Sequence, residues 1–247
     1  MVGRYVVGVD GTRPSHIARA WAEVRAAHRG VECVSIHVDQ PGTDESTAES
    51  HRLPEWADAV VWAPGVMPGA LIGFVKPGDV LVIGTGKTGF IHGRVFGSLS
   101  IQIATLASSD VAVIPDLDVR FRSGVVAGID RHDTAGLIAR SAAEESARLG
   151  APLQLLQSEP AAARRISDGV DLAVAEAELT VRAGWPELEV RTRVVARPAA
   201  EALLDAARNA ALLVLGPGNP GDEARLTGRV LHDVLINVNA PVLIARG

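Results

Sequence analysis

Residues 6–10 read Val-Val-Gly-Val-Asp, and residues 126–130 read Val-Ala-Gly-Ile-Asp. Each stretch is a short apolar run that ends in aspartate and is followed by a polar turn and a helical pattern. Two later apolar runs recur in the same order, residues 79–84 and 111–114 corresponding to residues 211–216 and 242–245. Landmarks that repeat in one order at nearly constant spacing indicate a duplicated domain.

The alternation of strands and helices predicts the fold of each copy. The strands are apolar throughout, which is typical of parallel strands that helices cover on both faces. We therefore predict an α/β protein of two tandem, doubly wound open sheets, each with five mainly parallel strands. The first domain is predicted to span residues 1–118 and the second residues 119–247. Sheets of this kind bind ligands beyond the carboxyl ends of their strands.

The first helix is predicted to begin near Ser15 and to stop at Gly30, because glycine commonly ends helices. The spacing of Ile17, Trp21 and Val24 places these three apolar side chains on one face of the helix.

Composition narrows the classes of partner and compartment. The net charge is −5 and no run of Lys or Arg stands out, which argues against nucleic acid and against an anionic membrane surface. The single cysteine, Cys33, lies in an apolar run and is predicted to be a buried small hydrophobe. No apolar stretch is long enough for a spanning helix, and the first residues form a strand pattern rather than a signal peptide. We expect a cytoplasmic protein.

A glycine-rich loop follows the fourth strand of the first copy. Residues 84–87 read Gly-Thr-Gly-Lys, and Gly97 and Ser98 open the next helix. Glycines allow a ligand to approach the backbone closely, and free N–H groups at a helix start favour an anion such as phosphate. Ser98 could add a hydroxyl and Lys87 a positive charge. Glycine-rich loops also serve simply as tight turns, and this one loop leaves both interpretations open.

Two familiar glycine motifs, the P-loop and the dinucleotide-binding motif, do not fit this loop. A P-loop would need glycine at position 81, where the sequence has Leu81. The spacing Gly-x-Gly-x-x-Gly occurs at residues 84–89 and 216–221, as in dinucleotide-binding proteins. Both matches follow the fourth strand of their copy and not the first, so the pyrophosphate geometry of that motif is absent.

The whole layout resembles the universal stress protein family, in its tandem, two-domain type. ATP-binding members of that family carry Gly-x2-Gly-x9-Gly-Ser/Thr after the fourth strand. Gly84, Gly97 and Ser98 keep the outer spacing of this pattern. Asp10 matches the acidic residue at the end of the family's first strand, and Val38 matches a residue that packs on the adenine base.

The resemblance implies a set of nucleotide-contacting residues in each copy. In the first copy they are Asp10, Gly11, Thr12, Val38, Gly84, Thr85, Gly86, Lys87, Gly97, Ser98 and Leu99. In the second copy the corresponding residues are Asp130, Gly216, Gly218, Gly228 and Arg229. It also implies ATP accompanied by Mg²⁺ as the ligand, with no metal ligands from protein side chains.

Both copies depart from the family pattern. Lys87 stands where the second glycine of the loop is expected, with Gly86 one place earlier. In the second copy, Arg229 replaces the expected Ser or Thr, and Ser158 replaces Val38. The first copy is therefore predicted to be the nucleotide site and the second to be mainly structural.

The sequence offers no nucleophile–base pair and no metal-ligand cluster, so no catalytic residue is assigned. The resemblance implies a non-catalytic, ATP-binding stress-response or regulatory protein, with at most slow ATP hydrolysis and with homodimers as an expected assembly. The alternative is a protein of the same type that binds no nucleotide and acts through protein–protein contacts. A nicotinamide-dependent oxidoreductase is a distant third, because it rests only on the Gly-x-Gly-x-x-Gly spacing.

Overall fold

A computed structural model of the chain describes residues 3–39, 55, 57–62, 67–86, 99–130, 132–158, 172–218 and 228–247. The chain forms two compact units, the first of which ends at Asp116, while the main body of the second begins at Leu117. Each unit is an α/β structure, and we describe the two separately.

The first unit alternates strands and helices along the chain. Its elements are β1 (Arg4–Gly8), α1 (Arg13–Arg29), β2 (Glu32–Asp39), β3 (Ala59–Trp62), α2 (Met67–Phe74), β4 (Val80–Thr85), α3 (Leu99–Leu106) and β5 (Asp110–Pro115). The strands lie in the order β3-β2-β1-β4-β5, and every neighbouring pair is parallel. The predicted sheet of five parallel strands is confirmed.

The second unit repeats this arrangement. Its elements are β6 (Val125–Ile129), α4 (His132–Leu149), β7 (Leu153–Ser158), α5 (Leu172–Gly184), β8 (Val190–Val195), α6 (Ala199–Ala207), β9 (Leu212–Leu215), α7 (Arg229–Ile236) and β10 (Val242–Ile244). The strands lie in the order β8-β7-β6-β9-β10, again all parallel. The two units thus share one topology, as the duplicated sequence predicts.

The central strands form the core because they are apolar on both faces. Val6 and Val7 of β1 and Leu81 and Val82 of β4 have no exposed surface. Helices on both sides of a parallel sheet bury such strands completely. The outer strand β8 differs, since its four central residues are exposed.

The apolar face that the sequence pattern predicts for α1 is only partly buried, because Val24 is 59% exposed. The buried apolar positions are Ala18, Ala22 and Ala26, which recur every four residues along one side of the helix. Small side chains let a helix lie close to a sheet, so this alanine stripe decides the orientation. The helix boundaries agree with the prediction to within two residues, and Gly30 ends the helix with a φ of 66°.

The strand order places a crevice at one point of each sheet. From β1 the chain moves outward to β2 and β3, then returns to the other side of β1 at β4. In open α/β sheets, ligands bind at such a switch point, beyond the carboxyl ends of the two central strands. The relevant ends are those of β1 and β4 in the first unit, and of β6 and β9 in the second.

Candidate functional site

At the switch point of the first unit, Asp10 forms the turn that leads into α1. Its Oδ1 atom accepts a hydrogen bond from the Thr12 backbone N–H at 3.0 Å and another from the Thr12 hydroxyl at 2.6 Å. The Ser15 hydroxyl donates to the Thr12 carbonyl at 2.9 Å. Partial burial raises the pKa of Asp10, but the hydrogen bonds from Thr12 and Ser15 outweigh it and leave the pKa below its ordinary value. Asp10 therefore has a structural partner at the mouth of the crevice.

Gly84, at the end of β4, allows α1 to approach the sheet closely. A Cβ atom added at Gly84 would overlap the Pro14 carbonyl group and lie 2.7 Å from the backbone nitrogen of Ser15. Only glycine fits such a contact between two backbones. Gly86 is different, because a Cβ added there would meet only the Pro14 ring, at 3.7 Å. The glycine at position 84 is thus required by helix packing.

The described residues at the switch point of the first unit enclose a cavity of about 70 Å³. It is lined by residues of β1, β2, β4 and the helix ends, including Asp10, Thr12, Val38, Gly84 and Leu99. His37 also lines this cavity, with Nδ1 2.9 Å from the Val9 carbonyl oxygen. Thr85 is buried, and its carbonyl accepts the Asp116 N–H at 3.0 Å. Gly11 occupies the left-handed region with a φ of 77°.

The remaining predicted phosphate-binding residues of the first copy, Lys87, Gly97 and Ser98, lie outside the described residues. Their part in the site stays a prediction.

The second unit has a much larger cavity at the equivalent place, of about 440 Å³. All the second-copy candidates line it, namely Asp130, Gly216, Gly218, Gly228 and Arg229. The structure also brings in residues that the sequence did not single out, namely Thr134, Leu156, Ala199, Leu203, Leu215, Pro217, Val230 and Leu231. The walls are therefore mostly apolar, with a few polar groups at the edge. Small-molecule sites in proteins usually have this composition.

The two glycines at equivalent strand ends explain part of the difference in volume. Beside Gly84 stands the backbone of Pro14, whereas a Cβ added at Gly216 would meet side chains, the end of Ile138 at 3.1 Å and Thr134 Oγ1 at 3.9 Å. The first turn of α4 thus leaves open a space that the first turn of α1 occupies in the first unit.

A second glycine contact shapes the far side of the larger cavity. Gly218 has a φ of 84°, and a Cβ added there would lie 2.9 Å from both N and Cα of Gly228. Gly228 is the N-cap residue of α7 and has no side chain that could cap the helix. Gly228 and Arg229 both line the cavity, so the start of α7 lies at the cavity wall, and the first N–H groups of a helix favour an anion.

Ser158 and Arg229 occupy the rim of this cavity. The Ser158 hydroxyl donates a hydrogen bond to the Arg197 carbonyl. The Arg229 side chain is 80% exposed, and its Nε atom is 3.9 Å from Asp233 Oδ2. An exposed ion pair at that separation is weak, so the guanidinium can turn to another anion.

Metal binding and membrane insertion were both considered for the described residues. No group of three or more His, Cys, Asp or Glu side chains among them could hold a metal ion. None of the helices in the described part of the chain is both long and apolar enough to cross a membrane.

Comparison with known proteins connects this geometry with a family. The sequence model of the universal stress protein family matches residues 123–246. One universal stress protein of Mycobacterium tuberculosis is 27% identical over 298 residues, an alignment that covers 98% of this chain and 94% of the relative. A second from the same organism is 26% identical over 269 residues, covering 98% and 95% of the two chains.

Among solved structures, a universal stress protein from Archaeoglobus fulgidus has a TM-score of 0.70 and 14% identity, and the match covers 98% of this chain and 96% of that one. Sequence and fold therefore agree over both units: the chain belongs to the universal stress protein family.

Proposed function

We propose that this protein is a stress-response or regulatory protein that binds an adenine nucleotide and has no catalytic machinery of its own. The observation that carries the proposal is the cavity of about 440 Å³ in the second unit. Its volume lies within the range of small-molecule sites, roughly 300–1,000 Å³. It also lies at the switch point, where open α/β sheets bind nucleotides, and the start of α7 lines it at Gly228 and Arg229.

The residues of the cavity suit binding better than catalysis. Its polar side chains in the described part are Asp130, Thr134, Ser158 and Arg229. No His, Cys or Lys stands among these described lining residues, so Asp130 is the one side chain among them that could act as a base. We expect hydrolysis of a bound nucleotide to be slow at most.

For the first unit, the case for a nucleotide site rests on its sequence. Gly97 and Ser98 keep the family spacing, and ATP with Mg²⁺ would rest its phosphates on them and on Lys87. The described cavity there, about 70 Å³, is well below the usual size of a ligand site. We therefore propose the second unit as the principal nucleotide site, in the reverse of the order that the glycine pattern favours.

A second candidate function is binding to other proteins without a nucleotide. Two observations favour it. The Gly84 position is occupied by the packing of α1, and α5 exposes Leu172 and Leu179, which are 70% and 68% accessible. The oxidoreductase alternative gains no support, because the backbone of Pro14 at the start of α1 packs directly against Gly84 and leaves no room there for a pyrophosphate.

Calorimetric titration of the full chain with adenosine monophosphate and adenosine triphosphate tests the proposal. Ala199 lines the cavity at the start of α6, so Ala199→Trp should fill it and remove binding. Glu201→Trp is the matched control, because residue 201 lies on the exposed side of the same helix. Binding that survives in the control and is lost in Ala199→Trp supports the proposal. A folded wild-type protein that binds no adenine nucleotide at millimolar concentration would leave the protein-binding candidate in its place.

A further inference from the structure

The hydroxyl of Ser158 has a defined hydrogen-bonding role at the cavity of the second unit. Ser158 is the last residue of β7, and it lines the cavity together with Leu156, two positions earlier on the same face of the strand. The Ser158 hydroxyl is hydrogen-bonded to the Arg197 carbonyl. Because a carbonyl oxygen can only accept, the hydroxyl must donate its single proton in this bond. Toward a ligand in the cavity, Ser158 Oγ therefore acts as an acceptor.

The Arg197 carbonyl is held in place from two sides. The next residue, Pro198, precedes the first residue of α6 and has a φ of −53°, and proline restricts the backbone of the residue before it. The Arg197 guanidinium lies 2.8 Å from Asp205 Oδ2, on α6. An exposed ion pair adds little stability by itself, but this one joins Arg197 to the helix that forms a wall of the cavity. The Ser158 proton is thus engaged before any ligand binds.

Asp130 gives the same end of the cavity a second acceptor. Ile129 of β6 is the register partner of Gln157 of β7. Asp130 and Ser158 directly follow these two residues, and both line the cavity. An ionised carboxylate only accepts hydrogen bonds. The start of α7 lines another side of the cavity, where backbone N–H groups and a guanidinium donate. The cavity therefore has an accepting end at β6 and β7 and a donating end at α7.

The two ends lie far enough apart for a nucleotide to connect them. A Cβ added at Gly218 would lie 2.9 Å from N and Cα of Gly228, so the start of α7 touches the segment that follows β9. β6 lies between β9 and β7, and two strand spacings amount to about 10 Å. An anionic phosphate is favoured at the start of a helix. A nucleotide that places its phosphate at α7 can extend across β6 and bring its base beside Ser158.

Adenine and the 6-oxo purines differ in the group that would meet this acceptor. The 6-amino group of adenine donates hydrogen bonds, whereas guanine and hypoxanthine carry a carbonyl oxygen there, which accepts. We propose that Ser158 is a specificity-determining residue of the second unit, which accepts a hydrogen bond from the 6-amino group of adenine and so disfavours a 6-oxo purine. The inference rests on the proposed function and adds the residue that distinguishes the base. At the corresponding position the first copy has Val38, which offers no hydroxyl.

Calorimetric titration of the full chain with adenosine monophosphate and inosine monophosphate tests this assignment. The two ligands share one ribose and one phosphate, so contacts at the donating end cancel in the ratio of their affinities. The site of interest is the one whose heat disappears in Ala199→Trp and persists in Glu201→Trp. There we expect adenosine monophosphate to bind at least about fivefold more tightly, because inosine monophosphate replaces one hydrogen bond with two opposed acceptors.

The outcomes separate this assignment from the proposed function. Equal affinity of the wild-type protein for the two monophosphates, or tighter binding of inosine monophosphate, would overturn the role of Ser158 and leave the proposed function intact. A folded wild-type protein that binds neither ligand would overturn both.

Two variants of nearly equal shape isolate the hydroxyl. Ser158→Thr keeps it, and Ser158→Val replaces it with a methyl group. We expect the preference for adenosine monophosphate to persist in Ser158→Thr and to fall to less than about twofold in Ser158→Val. Ser158→Ala should lose the preference in the same way, and it adds no bulk at the cavity. A preference that is unchanged in both Ser158→Val and Ser158→Ala would refute the assignment, and circular dichroism would check that each variant is folded.

Discussion

Replacement of Gly84 by alanine should destabilise the first unit, although the change adds a single methyl group. The added Cβ would overlap the Pro14 carbonyl group and lie 2.7 Å from Ser15 N. These are backbone atoms at the start of α1, so they cannot rotate aside as a side chain would. Overpacking typically costs about 1–3 kcal/mol, and alanine regains roughly 0.5–1 kcal/mol by restricting the unfolded chain. We expect a net loss of about 1–2 kcal/mol in the free energy of unfolding.

The chain provides two matched controls for this substitution. Gly86→Ala introduces a contact of 3.7 Å with the Pro14 ring, which is ordinary, and should be neutral or raise the free energy of unfolding by up to about 1 kcal/mol. Gly216→Ala would place the Cβ 3.1 Å from the end of the Ile138 side chain and 3.9 Å from Thr134 Oγ1, and should cost less than about 1 kcal/mol. Urea unfolding followed by circular dichroism measures all three. If Gly84→Ala is as stable as Gly86→Ala, the start of α1 moves freely and the explanation of the narrow first cavity is incorrect.

Three further predictions concern the first unit. Because the pKa of Asp10 is lowered in the folded protein, its ionised form stabilises the folded state above the ordinary aspartate pKa, and this contribution disappears as the pH falls through the lowered pKa. The difference in the free energy of unfolding between the wild type and Asp10→Asn or Thr12→Val should therefore shrink between pH 7 and pH 2. Burial raises the pKa of Cys33 to about 11 from 9.0. Iodoacetamide at pH 8 should therefore alkylate the native protein about 100-fold more slowly than the urea-unfolded chain, and equal rates would show an accessible thiolate. If the first copy binds ATP at Gly97 and Ser98, Gly97→Val should abolish that binding and Ser98→Ala should weaken it by only about 1 kcal/mol. Unchanged affinity for ATP in Gly97→Val would show that this glycine serves only to form a turn.

The fold was predictable because the central strands carry a strong signal. Runs of consecutive apolar residues, such as residues 79–84 and 211–216, are what a strand buried on both faces requires. The orientation of α1 was not predictable in the same way. The predicted face of the helix was based on its large apolar side chains. The residues that are buried are instead Ala18, Ala22 and Ala26, because short side chains let the helix lie closer to the sheet.

The candidate site was only partly predictable, for a related reason. A glycine after a strand indicates that something approaches the backbone closely, but the sequence does not say whether it is a helix or a ligand. At Gly84 it is the start of α1. The walls of the second cavity could not be found by motif, because Ala199 and Leu203 belong to a helix that precedes β9 and reaches the crevice only through the sheet topology.

The central claim is that an adenine nucleotide occupies the cavity of the second unit. Its most direct test is mass spectrometry of the small molecules released when the protein, purified from cells, is denatured. We predict that the wild-type protein and Glu201→Trp release an adenine nucleotide, and that Ala199→Trp releases much less. Release of a nicotinamide nucleotide, of no nucleotide, or of equal amounts from wild type and Ala199→Trp would contradict the claim.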